Sequence, residues 1–204
     1  MKINKELFIT FEGPEASGKS SQIKLLSNFL TKNKIPFIVT REPGGTFVSE
    51  KIRKIILDKK NKITQLEEIL LLMASRSNHI NSKIIPNLKK GKIVISDRFA
   101  DSTFVYQGYV NKFGILATQE LHRKLLKNFL PSKTFLFNLS VSEIINRLRK
   151  RKNKNKYDKI DFNFHKKVNM GYKKISQTKR FINVNGSESK SNIHKKILKN
   201  LNLI

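Results

Sequence analysis

Residues Gly13 to Ser20 read GPEASGKS, a match to the pattern G-x-x-x-x-G-K-[ST]. An apolar run, Lys5 to Phe11 (KELFITF), precedes the segment. A stretch with apolar residues at Ile23, Leu25, Leu26, Phe29 and Leu30, close to helical spacing, follows it. Strand, glycine-containing loop and helix, in that order, is the context in which this pattern cradles phosphate. The glycines let the backbone wrap an anion without Cβ interference, and the next helix aims its N–H groups and positive dipole end at it. Lys19 is expected to bridge the β- and γ-phosphates of a nucleotide and Ser20 to hold Mg²⁺. The surrounding Gly13, Pro14, Glu15, Ala16, Ser17, Gly18 and Ser21 complete the loop.

Working outward, the chain alternates strand and helix. Ile35–Thr40 (IPFIVT), Lys92–Ser96 (KIVIS), Lys133–Leu139 (KTFLFNL) and Arg180–Val184 read as further strands. Helices are expected over Ser20–Asn33, Val48–Leu57, Gln65–Ile80, about Thr103–Gly108, Ile115–Asn128, Val141–Arg151, Asp161–Thr178 and Ser191–Leu201, with Pro86 and Gly91 punctuating the approach to KIVIS. Near-continuous apolar runs such as KIVIS belong to buried parallel strands. The expectation is an α/β fold of three layers, a parallel five-stranded sheet with helices on both faces. The chain reads as one domain over 1–204, with a Lys- and Asn-rich stretch at about 147–158 as a mobile lid.

Asp97 and Arg98 follow KIVIS directly. An Asp at the carboxyl end of a buried strand lies where ligands bind in open α/β sheets, and it is the expected partner of Ser20 in holding Mg²⁺, directly or through water.

Four segments in order resemble bacterial-type thymidylate kinases: FEGPEASGKSSQ from Phe11, TREPGGT from Thr40, LLLMASRSNHI from Leu70 and SDRFADSTFVYQG from Ser96. FHKKVNMGY from Phe164 is similar to a fifth family segment. The resemblance covers nearly the whole chain. It implies a nucleotide kinase that phosphorylates dTMP from ATP with Mg²⁺, working as a homodimer. It also implies roles. Arg76 and Arg98 would grip the dTMP phosphate, a dianion suited to guanidinium forks. Glu15 would contact the deoxyribose 3′-hydroxyl, Arg41 would help organise the acceptor site, and Ser102, Thr103, Tyr106 and Gln107 would meet the base. The sequence departs from the family pattern at Ala16, which replaces a Gly, at Phe99, which replaces a Tyr, and at Leu72, which stands where a base-stacking Phe is common.

Phosphoryl transfer needs positive charge on the transferring group. The phosphate loop offers no arginine, so the charge is expected from the lid, where Arg147, Arg149 and Arg151 stand; Arg149 or Arg151 is the expected catalytic residue.

Composition bounds the alternatives. The formal net charge is +27, but lysine far outnumbers arginine and keeps company with Asn and Ile throughout. A spread-out excess of this kind fits the codon bias of an AT-rich genome better than a dedicated nucleic-acid surface, so neither nucleic acid nor membrane is an expected partner. There is no cysteine, which excludes disulfides and thiolate metal sites. No run approaches the roughly 18 apolar residues of a membrane span, and the expected location is cytoplasmic.

Overall fold

The computed structural model describes residues 7–58, 60–150 and 161–204. Strands β1 (Phe8–Glu12), β2 (Phe37–Arg41), β3 (Ile93–Asp97), β4 (Lys133–Asn138) and β5 (Phe181–Asn185) form one sheet in the order β2-β3-β1-β4-β5, every pairing parallel. Helices α1 (Lys19–Lys32), α2 (Phe47–Leu57), α3 (Gln65–His79), α4 (Ile85–Lys89), α5 (Ala100–Thr103), α6 (Ile115–Leu126), α7 (Val141–Arg149), α8 (Phe162–Ile175) and α9 (Lys190–Asn200) complete it.

The period-two alternation of strand side chains sorts the core into two layers. Ile9, Phe11, Ile93, Ile95, Phe135 and Phe137 pack with α1 and α9. Phe8, Val94 and Leu136 pack on the other face with residues of α3, α5, α6 and α8. The same parity governs the polar residues at the carboxyl edge. Glu12 shares the face of Phe8, and Thr40 and Glu42 share that of Ile38, so they meet α3, α5 and α8. Asp97 shares the face of Ile95 and turns to α1.

Two helical expectations change. Beyond His79 the chain does not break at Pro86: a π-helical turn, Ile80–Ile84, leads into α4. Pro86 lies inside this continuous helical run, where it removes one backbone N–H donor, and the π-helical turn directly precedes it. The segment expected as one helix about Thr103–Gly108 is α5 followed by a π-helical stretch, Phe104–Val110. Ser102 and Thr103 of α5 and Tyr106 of the π-helical stretch nonetheless line one cavity. At the other ends the strands and helices lie within a few residues of the expected ranges. The part of the expected lid over 151–158, with Arg151, lies outside the described residues.

Candidate active site

A cavity of about 460 Å³ opens at the carboxyl ends of β1, β2 and β3, where ligands bind in open α/β sheets. Its floor is the loop between β1 and α1. Gly13 has φ 133° and lies so close to β4 that a Cβ there would sit 2.4 Å from the Phe137 carbonyl oxygen, so only glycine fits. Gly18 (φ 102°) caps α1. Ala16, at φ 57°, adopts the left-handed conformation that favours the glycine it replaces.

Lys19 curls back over this loop, donating to the carbonyls of Pro14 (2.7 Å) and Gly13 (3.2 Å) and to Ser17 Oγ (3.3 Å). Burial, and then the nearby Arg98 cation, lower its pKa to about 8. Ser20 Oγ donates to Asp97 Oδ2 at 3.3 Å. One hydroxyl and one carboxylate at a phosphate loop suit Mg²⁺, a hard ion that takes one or two protein oxygens and fills the rest of its shell with phosphate and water.

The facing wall is built from arginines held by buried or largely shielded carboxylates. Arg98 donates from Nη2 to Glu15 Oε1 (2.6 Å) and from Nη1 to Gly13 O (3.0 Å), Ser102 Oγ (3.1 Å) and the Tyr172 hydroxyl (3.1 Å). Burial alone would lower its pKa, but Glu15, Tyr106, Tyr172 and Glu12 hold it well above the ordinary value. Beneath it Glu12, fully buried, accepts from the Phe99 N–H (2.7 Å), the Ser102 hydroxyl (2.7 Å) and the Tyr172 hydroxyl (2.9 Å). Burial, and then the Asp101 carboxylate, push Glu12 up to about 7. Asp101 in turn takes a bidentate pair from Arg180 (2.6 and 2.7 Å).

Arg76, only 1% exposed, is not the surface arginine its helix position alone would imply. Its Nε donates to Glu42 Oε2 (2.7 Å) and its Nη2 to Thr103 Oγ1 (2.8 Å). Leu72, Tyr106 and Gln107 line the same wall, with the Gln107 amide anchored on Glu68 Oε1 at 2.7 Å. Arg41 stays at the rim, half exposed and paired with Glu50 at 3.0 Å.

The structure thus gathers Glu15, Ala16, Ser17, Gly18, Lys19, Ser20, Ser21, Arg41, Leu72, Arg76, Asp97, Arg98, Ser102, Thr103, Tyr106 and Gln107 around one cavity, with Gly13 and Pro14 in its floor. It does not bring Arg149 there: that residue is exposed at the end of α7. The α7 arginine that reaches the phosphate loop is Arg147, which donates to the carbonyls of Ala16 (3.3 Å) and Gly186 (3.0 Å) and pairs with Glu143 at 2.5 Å.

Several residues of the wall were not foreseen: Glu12, Glu42, Arg53, Leu57 and Tyr172. Glu12 and Glu42 sit inside the FEG and REP segments, and Tyr172 ends FHKKVNMGY, so those segments held the signal. Arg53, which donates to Pro43 O at 2.7 Å, had none beyond its place in α2.

A phosphate-cradling loop and two clamped guanidiniums facing each other across one cavity define a P-loop kinase of phosphorylated small molecules. The thymidylate kinase family profile matches residues 11–197, and the chain belongs to that family. It is 39% identical over 196 residues to the thymidylate kinase of Thermoanaerobacter sp. (strain X514), covering 95% of this chain and 96% of that one. It is 39% identical over 206 residues to the enzyme of Rickettsia bellii (strain OSU 85-389), covering 100% and 99%. The crystal structure of thymidylate kinase from Ehrlichia chaffeensis superposes with a TM-score of 0.76 at 30% identity, covering 97% of this chain and 98% of that one.

Proposed function

We infer that this enzyme transfers the γ-phosphoryl group of ATP to dTMP, giving ADP and dTDP. The observation that carries the reading is the single cavity shared by Lys19 and Arg98, which lets a donor and an acceptor phosphate meet in line. The backbone N–H groups of the loop and Lys19 take the donor phosphates. Ser20 and Asp97 would hold Mg²⁺, which would neutralise part of the donor's phosphate charge. Arg98, fixed by Glu15, takes the acceptor phosphate, and Arg76 closes the same wall beside Thr103. Glu15 meets the 3′-hydroxyl, and Leu72, Tyr106 and Gln107 meet the base.

The chain works as one domain. Residues 147–158 serve as the lid, and Arg149 or Arg151 supplies the transition-state charge. The enzyme is a homodimer, for which exposed Leu66 and Leu70, one turn apart on α3, offer an apolar face; light scattering at micromolar concentration tests it. Its charged substrates do not cross membranes unaided, and we place it in the cytoplasm. Among the described residues no helix is long and apolar enough to cross a membrane.

An ADP-release assay across nucleoside monophosphates tests the function. The largest kcat/KM is expected with dTMP. A preference for AMP, CMP or GMP would overturn the reading.

A further inference from the structure

One buried residue in the acceptor wall has no part in the mechanism above. His79, the last residue of α3, has no exposed surface, yet both ring nitrogens are engaged. Nδ1 lies 2.9 Å from Glu42 Oε1 and Nε2 lies 2.7 Å from Thr40 Oγ1. Arg76, held by Glu42 through its second oxygen, sits one helical turn earlier in α3. Arg76 then reaches Thr103 on α5.

The direction of this chain can be read from its chemistry. Burial alone would raise the Glu42 pKa, but Arg76 and His79 outweigh it and hold it below the usual carboxylate value. An ionised carboxylate only accepts, so His79 Nδ1 carries the proton that it shares with Glu42. Gly45 seals the other end: a Cβ there would sit 2.4 Å from Thr40 Oγ1 and 2.8 Å from His79 Nε2. That close approach leaves the Thr40–His79 contact no room to shift or to admit water.

We propose that His79 is a positioning residue: through Glu42 it fixes the direction of the Arg76 guanidinium, and so sets the enzyme's affinity for its acceptor. A buried carboxylate with two oxygens and one partner could rotate about its terminal bond. With His79 on one oxygen and Arg76 Nε on the other, the carboxylate plane is set, and with it the guanidinium, whose Nη2 reaches Thr103 Oγ1 at the cavity wall. The logic is that of the outer groups that orient metal-binding histidines, here applied to an arginine. The proposal rests on the assignment of Arg76 to the acceptor.

The test uses His79→Ala, His79→Asn, His79→Gln, Arg76→Ala and the Arg76→Ala/His79→Ala double variant. An Asn amide nitrogen falls near the place of Nδ1 and a Gln amide nitrogen near that of Nε2, so Asn preserves the bond to Glu42 and Gln does not. KM for dTMP should rise about tenfold or more in His79→Ala and His79→Gln, the effect of leaving one buried hydrogen bond unmade. His79→Asn should stay within about threefold of wild type on the same scale. KM for ATP should not move in any of them. In the Arg76→Ala background, His79→Ala should add nothing to the dTMP KM, although both changes lower the melting temperature; a merely structural role would add in both. An unchanged dTMP KM in His79→Ala and His79→Gln, or an equal rise with and without Arg76, overturns the proposal. An unchanged dTMP KM in Arg76→Ala alone overturns the assignment of Arg76 as well.

Discussion

The two faces of the sheet meet at one carboxyl edge and arm it differently. On the face of α1 the working groups are mostly backbone: the turns at Gly13 and Gly18, the start of α1, and the short side chains of Ser20 and Asp97. On the face of α3, α5 and α8 they are long guanidiniums, each fastened by a carboxylate that is itself largely shielded from solvent: Arg98 by Glu15 above Glu12, Arg76 by Glu42. A nucleotide's polyphosphate can be held by a loop that wraps it, because successive N–H groups follow successive oxygens. A single monophosphate carrying a base needs few contacts, but each must point correctly. Long side chains must therefore lose their rotamer freedom before the ligand arrives.

This contrast predicts which substitutions hurt most. Lys19→Ala removes the long side chain that curls over the phosphate loop and should lower kcat by about 100- to 1000-fold. Because Lys19 is buried against the loop carbonyls and outside both apolar layers of the core, the circular dichroism spectrum should be unchanged; near-normal turnover at saturating ATP would break the donor assignment.

The lid should come next. At least one of Arg149→Ala and Arg151→Ala is expected to lower kcat by about 100-fold, neighbouring lysines replacing part of the charge. The double variant should keep both ligand affinities within about threefold, since a charge used only in the transition state does not hold substrates. Arg147 sharpens this test: its place against Ala16 and Gly186 makes it the candidate if both fail.

A third prediction concerns the carboxylate under Arg98. Glu12 titrates near 7 in the folded protein against an ordinary 4.5, so the folded state keeps a proton that the unfolded chain releases. The stabilisation this gives is full below about pH 4.5 and is lost as pH rises through 7. Relative to Glu12→Gln, which cannot titrate, wild type should lose on the order of 1–3 kcal/mol between pH 5 and 8. Urea midpoints at the two pH values measure it, and parallel pH profiles would show that Glu12 is ionised at ordinary pH.

A smaller change should appear on the donor side. With Lys19 near 8, kcat/KM for ATP should fall above pH 8, by about tenfold for each further unit. The fall in kcat itself should begin at higher pH, because bound phosphate holds the proton on the lysine. Profiles of both constants between pH 6.5 and 9.5 separate the two.

The same contrast explains how much could be read from residue order. GPEASGKS and SDRFADSTFVYQG are contiguous because a wrapping loop and a strand end are built from neighbours in the chain, and the alternation of apolar runs was enough for the parallel sheet. The fasteners of the acceptor wall come from far apart: Glu12 meets Tyr172, Glu42 meets Arg76 and His79, and Asp101 meets Arg180. Carboxylates are normally solvated, so residue type alone does not mark Glu12 or Glu42 as buried. Period-two parity from Phe8 and Ile38 would have turned both toward the helices of the acceptor wall. The π-helical stretch after Thr103 left no such sign, since its apolar and polar residues also suit an α-helix.

The most direct measurement is calorimetric titration of wild type and Arg98→Ala with dTMP and, separately, with ATP. An arginine clamped by Glu15 on the acceptor side should cost about 10- to 100-fold in dTMP affinity when removed, the worth of a charge-assisted pair, and leave ATP affinity within about threefold. Loss of ATP affinity with dTMP binding intact would reverse the two ends of the cavity and contradict the account.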